Sequence, residues 1–323
     1  MKILNKKLCR DIKQNLSQFI TIFLMVFIGI MAYSGIEGYM EGMQETADKF
    51  YGNYNLQDLN VLGEINESKI EDIKNIDNVK NVEGKLVINT ILEENSDVTL
   101  QASFIDSNEI SKFYIVDGKK FNKDTKGIWV DQFYAEANIT DEEIFNTYFK
   151  DFNYRDYLKY NYAMVDVEDV NELSKVKNSI EDKMENVTII DIKDTSSYLQ
   201  YQGEVDEGKT YIGVFSGLFL FIAILSVITT MTRVVQKQRI QIGTLKALGF
   251  KKRKIVKHYI GYSFWISIIA AICGLFAGRY FIGDVFINLE MSFFEIPNGM
   301  AIIKKDSFIV AAAVVLVVSS QAI

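Results

Sequence analysis

The sequence predicts an α-helical membrane bundle, with three full spans and a truncated fourth, and a mixed α/β domain inserted between the first and second spans. Three observations carry this. Long apolar runs alternate with a polar middle, basic residues gather beside the apolar runs, and the polar middle is acidic. The chain has 323 residues, 49% of them hydrophobic and 24% charged, with a mean hydropathy of +0.06. That average conceals two populations, which neither a plain soluble domain nor an all-membrane protein would show.

The apolar runs come first. Residues 17–37 (SQFITIFLMVFIGIMAYSGIE), 209–232 (around YIGVFSGLFLFIAILSVITTMT) and 259–282 (YIGYSFWISIIAAICGLFAGRYFI) are each long enough to cross a bilayer. About 20 residues at about 1.5 Å each span a hydrocarbon core of about 30 Å. Residues 307–323 form a fourth run that stops with the chain, so a fragment or truncated product is expected. A cleaved signal peptide is the rival reading for 17–37, but its apolar stretch exceeds the usual one of about 7–15 residues. Before it, Leu4, Leu8, Ile12 and Leu16 recur every four residues among lysines. Residues 1–16 therefore read as an amphipathic cytoplasmic helix lying in the membrane interface.

Charge sets the expected orientation. Lys2, Lys6, Lys7, Arg10 and Lys13 precede the first span, against the single acid Asp11. Between the second and third spans, residues 233–258 hold nine Lys and Arg and no acid. Both segments are placed in the cytoplasm by the positive-inside rule. Residues 38–208, with 36 Asp and Glu against 17 Lys and Arg, are then extracytoplasmic, as is 283–306. Cys9 and Cys273 both lie outside the polar middle, so no disulfide framework is available to it.

Within 38–208, INESKIEDIKNI has helical spacing, with Asn66 or Ser68 as cap. KLVINTIL, DVTLQASFID, YAMVDVEDV and NVTIIDI read as strands, and KGIWVDQFYAEANI as strand then helix. VNELSKVKNSIEDKME is a helix, which gives two β-α-β units and a sheet covered by helices on one face. The domain has no His or Cys and no nucleophile elbow. The acidic runs Asp141-Glu142-Glu143 and Glu168-Asp169 read as solvated faces or helix caps before cation sites. Tyr148, Tyr154, Tyr157, Tyr160 and Tyr162 can line a surface for an amphiphile or pack at a sheet edge.

One nucleotide motif is present. Residues 203–210, GEVDEGKT, satisfy the phosphate-loop pattern. Glu204, Asp206 and Glu207 would repel a triphosphate, and the charge rule puts the segment on the wrong side for ATP. It is read as a flexible juncture before the second span, with Lys209 at the lipid boundary. His258, at the inner boundary, is assigned only an interfacial contact, and Arg279 is expected to snorkel or pair with Asp284.

The sharpest segment is MTRVVQKQRIQIGTLKALGFKKRKIVKHY, residues 231–259. Ile242, Leu245 and Leu248 share one helical face, with Gly243 and Ala247 beside them and Gly249 suited to end the helix. A short helix with small residues fits a groove on a soluble partner, whereas an interfacial helix held only by lipid is the alternative. The basic cluster Lys251, Lys252, Arg253 and Lys254 returns the chain to the inner headgroups. Arg233 to Phe250, R-x-x-x-x-Q-R-x-Q-I-G-T-L-K-A-L-G-F, resembles the motif after the second span in FtsX-like ABC-transporter permeases of the MacB-type superfamily. The opening RDIKQNLSQFITIFLMVFIGIMAYSGI and ETADKFYGNYNLQDLNV resemble the start of large Gram-positive members. Gln236-Lys237 departs from the acids common there.

That resemblance implies a permease subunit with no ATPase site of its own. Gln241, Ile242, Gly243, Thr244, Leu245, Lys246, Ala247, Leu248 and Gly249 would form the coupling helix that docks a separate cytoplasmic ABC ATPase. ATP and Mg would be bound by that partner, and no cofactor or metal by this chain. Membrane lipids and a second permease unit, a homodimer partner or a missing second half, are the other expected partners, and no nucleic acid is. The competing class is a membrane-anchored receptor or sensor with an extracellular ligand-binding domain. An ectoenzyme is disfavoured by the absence of His and Cys from the polar middle.

Overall fold

The computed structural model describes residues 16–92, 95–122, 128–132, 135, 160–294 and 296–320. In chain order these form α1 (Leu16–Tyr54), β1 (Leu59–Ile65), α2 (Glu67–Lys74), β2 (Val79–Leu92), β3 (Asn95–Ile105), β4 (Tyr160–Val167), α3 (Leu173–Lys183) and β5 (Val187–Asp191). Then follow α4 (Ser196–Tyr211), α5 (Gly217–Lys237), α6 (Arg239–Ala247), α7 (Lys252–Ala277), α8 (Asp284–Phe294) and α9 (Lys305–Ser320). The chain divides into two compact units, Lys49–Gln200 and the remainder.

The unit 49–200 is built on a five-stranded sheet of order β3-β2-β4-β1-β5, with every neighbouring pair antiparallel. Each expected β-α-β unit is present but split. β4 lies between β1 and β2, and β1 lies between β4 and β5, which is the double split arrangement of ferredoxin-like sheets. The apolar residues of α2 and α3 (Ile73, Val176, Ile180) join Leu59, Val61, Ile65, Val165 and Ile189 in one core. Ile65 closes β1 rather than opening the helix, and Asn66 caps α2 by accepting from Lys69 N at 2.9 Å. Asn78 and Asn186, both with positive φ, turn the chain into β2 and β5. On the opposite sheet face, buried Glu83 accepts from Ser107 Oγ and from the N–H groups of Glu109 and Ile110. These bonds fix the segment that seats Ile110.

The other unit is helical. Among the described residues, three stretches are long and apolar enough to cross a membrane: Phe19–Tyr54, Ser196–Lys237 and Lys252–Phe294. The second and third are longer than their apolar runs because a π-helical turn joins two helices in each: Ile212–Ser216 between α4 and α5, and Gly278–Gly283 between α7 and α8. The core takes Ile22, Val26 and Ile30 from α1, Val227 and Met231 from α5, Tyr262 and Leu275 from α7, and Val314 and Val318 from α9. Where α1 meets the end of α7 the contact is between backbones. A Cβ on Gly278 would stand 2.5 Å from Met31 O and 2.8 Å from Gly35 N. The segment before α9 is bound to α1 as closely. Ile302 N donates to Gly38 O at 3.0 Å, and Lys304 pairs with Glu41 at 2.6 Å. Buried Glu37 accepts from Ser307 Oγ and from Tyr33 OH.

Candidate functional site

The candidate site is the basic turn between the second and third apolar helices. α5 runs on to Lys237, and the helix breaks at Gln238 (φ −97, ψ 12), a buried residue whose carbonyl still accepts from Ile242 N. α6 therefore begins as a bent continuation of α5. It ends on a Schellman motif, in which Phe250 N bonds Leu245 O at 3.1 Å and Gly249 N bonds Lys246 O at 3.0 Å. Gly249 has φ +82, the left-handed conformation that this motif requires and that a Cβ disfavours. The helix spans Arg239–Ala247, two residues earlier than the expected segment, with Leu248 as its cap and Gly249 beyond it.

Its faces divide differently from the sequence reading. Ile242 and Leu245 pack against the bundle core and anchor the helix. Leu248 points away, 70% exposed, so the three do not share one face. The exposed apolar partner of Leu248 is Ile240, 85% exposed and eight residues earlier. Between these two lie Gly243, Thr244 and Ala247, all exposed. The outward face is thus two large apolar side chains separated by small residues. Sequence reasoning missed Ile240, although its i, i+4, i+8 spacing with Thr244 and Leu248 was available as a signal.

After Gly249 the backbone of Lys251 is extended, and α7 begins with Lys252, Arg253 and Lys254 in its first turn. No acid accompanies them. Cations at a helix N-terminus oppose the macrodipole by about 0.3–1 kcal/mol each where exposed, so this cluster has a local excess of positive potential. His258, one helical turn further, is buried, and its Nε2 lies 3.0 Å from Tyr262 OH. It is a core residue and not the interfacial contact expected.

GEVDEGKT occupies the interior of α4 and is neither a loop nor a flexible juncture. Its Gly208 lies against Met40, and Thr210 Oγ1 bonds Asp206 O at 3.1 Å, as helix residues do. Lys209 lies 3.8 Å from Asp206. The helix commits the backbone N–H groups that a phosphate cradle would present. Arg279 pairs with Asp284 at 2.8 Å, as expected.

In the sheet unit, Asp169 caps a short 3-10 turn by accepting from Asn171 N at 2.9 Å, which gives Glu168-Asp169 its capping role. Asp141-Glu142-Glu143 and Tyr148, Tyr154 and Tyr157 lie outside the described residues, as does most of 126–139. Tyr160 OH donates to Asp106 at 2.7 Å. Lys85 Nζ sits 4.2 Å from the Tyr162 ring centroid. Burial pulls the Lys85 ammonium below its ordinary range and pushes the Tyr162 phenol up to about 12. Among the described residues no group of three His, Cys, Asp or Glu side chains could hold a metal.

Three long apolar helices and a small separate sheet unit define a multi-pass membrane helical protein carrying an extra domain. Residues 213–323, from the π-turn before α5 through the basic turn to α9, match the family model "FtsX-like permease C-terminal". The match supports the FtsX-like permease family, whose members are permease components of transporters, typically working with a cytoplasmic ABC ATPase, and are not themselves catalytic enzymes. No curated protein matches the chain.

Proposed function

We propose that this chain is a MacB-type ABC-transporter permease subunit that passes the ATP-driven motion of a separate ATPase to an extracytoplasmic domain. The observation that carries this reading is α6. It is held by Ile242 and Leu245 from inside and presents Ile240 and Leu248 outward, on a segment that falls within the family match. A helix exposing two large side chains around small residues is suited to a groove, and burying each side chain contributes about 1.5–3 kcal/mol. Because α6 continues α5 through the bend at Gln238, a displacement of α6 is transmitted to α5. In this reading the N-terminus and the basic turn are cytoplasmic and residues 38–208 lie outside. ATP and Mg belong to the partner, while lipid and a second permease unit complete the membrane assembly. Export, lipid or peptide handling, or antibiotic resistance are the corresponding roles.

The test is co-purification with the ABC ATPase encoded nearest to this chain. Ile240→Asp together with Leu248→Asp should abolish association while membrane insertion and yield are unchanged, since neither side chain supports the core. Undiminished association of the double variant would overturn the docking assignment.

A further inference from the structure

The docking face carries a charge pattern as distinct as its shape. Residues 233–258 hold Arg233, Lys237, Arg239, Lys246, Lys251, Lys252, Arg253, Lys254 and Lys257, with no Asp or Glu. None of the nine has an ion-pair partner among the described residues. In the same unit, Lys209, Arg279 and Lys304 each have one: Asp206, Asp284 and Glu41 at 3.8, 2.8 and 2.6 Å. Arg239 and Lys246 are the cations on α6 itself, both exposed, and their helical spacing sets them together along one edge of the Ile240–Leu248 face.

Resting on the docking reading above, we infer that the surface receiving α6 is an apolar cleft rimmed by carboxylates, which recognises this permease by charge as well as by shape. Apolar surface and unpaired cations lie together on one nine-residue helix. A partner that buried Ile240 and Leu248 without supplying anions would desolvate Arg239 and Lys246 at a cost. Lipid phosphates are the other source of negative charge. They suit Lys251, Lys252, Arg253 and Lys254, but α6 lacks the continuous face of large apolar side chains that a helix in the headgroup layer buries. Gly243, Thr244 and Ala247 instead permit close approach of a protein backbone.

The experiment uses the full chain in nanodiscs of neutral phosphatidylcholine, and in parallel nanodiscs containing phosphatidylglycerol, with the purified nearest-encoded ABC ATPase as probe. The Kd should weaken about tenfold or more between about 50 mM and about 500 mM NaCl, as exposed charges are screened. Replacing Arg239 and Lys246 with Gln should weaken binding about tenfold at low salt and flatten the salt dependence, equally in both lipids. A Kd that ignores salt and the Gln pair, with Ile240→Asp together with Leu248→Asp still abolishing binding, would overturn the acidic rim and leave the docking reading intact. An effect of the Gln pair confined to phosphatidylglycerol would assign these cations to lipid and also overturn it. Failure of the unmodified chain to bind at any salt concentration would overturn the docking reading itself.

Discussion

The first and second long apolar helices are made of similar residues and are packed in opposite ways. In the most apolar stretch of Phe19–Tyr54, 44% of residues are buried, whereas in that of Ser196–Lys237 only 12% are. α1 meets α7 and the segment before α9 with its backbone, through Gly278 and Gly38. In α5 the buried residues include Ala223, Val227, Met231 and Val234, while Leu218 and Phe221, with Val214 and Phe215 of the preceding π-turn, point outward. In lipid, apolar surface gains little from leaving one apolar medium for another, so association rests on close packing and polar bonds between helices. The glycine contacts and the Glu37 cluster supply both to α1, α7 and α9. The first half of α5 meets α1 more loosely, since a Cβ added at Gly29 would stand 3.5 Å from Leu220 and 3.8 Å from Ala223 and Phe219 O, ordinary contact distances, and that half begins at a π-helical turn. Under the proposed function, α1, α7 and α9 are the frame, and α5 is the element that can move when α6 is pushed.

The largest effect that would break this comparison belongs to the frame. Gly278→Leu forces a side chain where even a Cβ would stand 2.5 Å from a backbone oxygen. Overpacking of this kind costs about 1–3 kcal/mol and occasionally more, and here the backbone must yield. The expected outcome is a clear fall in the thermal unfolding midpoint in detergent, with loss of folded yield. A variant as stable as the parent would show that α1 and α7 are not locked. The next effect in size concerns Glu37. Glu37→Ala leaves the buried Ser307 hydroxyl and the Tyr33 hydroxyl without their acceptor, at about 1–3 kcal/mol for each unsatisfied buried group. Glu37→Gln keeps an acceptor and should recover most of that stability in the same measurement.

The two regions also differ in how far the sequence revealed them. The spans, the basic turn and strands β2 to β5 of the sheet unit follow from local patterns: run length, charge and alternation, whereas β1 (Leu59–Ile65) was not read as a strand. Asn66 as cap of α2 and the end of α6 at Gly249 are equally local. The glycine contact between α1 and α7 was not legible, because Gly35 and Gly278 are far apart in sequence and nothing local pairs them. The outward face of α6 was half legible. A short helix with apolar residues at 240, 242, 245 and 248 admits two faces, and only the neighbouring core decides that Ile242 and Leu245 are the buried pair. GEVDEGKT is the converse case: its acids already argued against a phosphate site, but that the segment is helical and not a flexible juncture was missed, because two glycines in eight residues read locally as a loop. The split of both β-α-β units is also a tertiary fact, set by β4 entering between β1 and β2 and by β1 between β4 and β5, strands whose own sequences look the same either way.

The smallest effect sharpens the comparison from the side of α5. Gly217 opens α5, and a Cβ added there meets nothing within 4 Å. Alanine in a helix is favoured over glycine by about 0.8–1.0 kcal/mol, a gain reduced here because the position follows a π-turn at the helix start. Gly217→Ala should therefore leave the unfolding midpoint unchanged or raise it slightly, in contrast to any enlargement at Gly278. The substitution also separates two accounts of why α5 is exposed. If that face meets only lipid, an added methyl group changes neither stability nor the oligomeric state in detergent. If it meets a second permease unit at close range, the methyl group weakens self-association while leaving the midpoint of the dissociated chain in place. Measuring mass and midpoint on one sample distinguishes a lever that swings through lipid from one that moves against a partner.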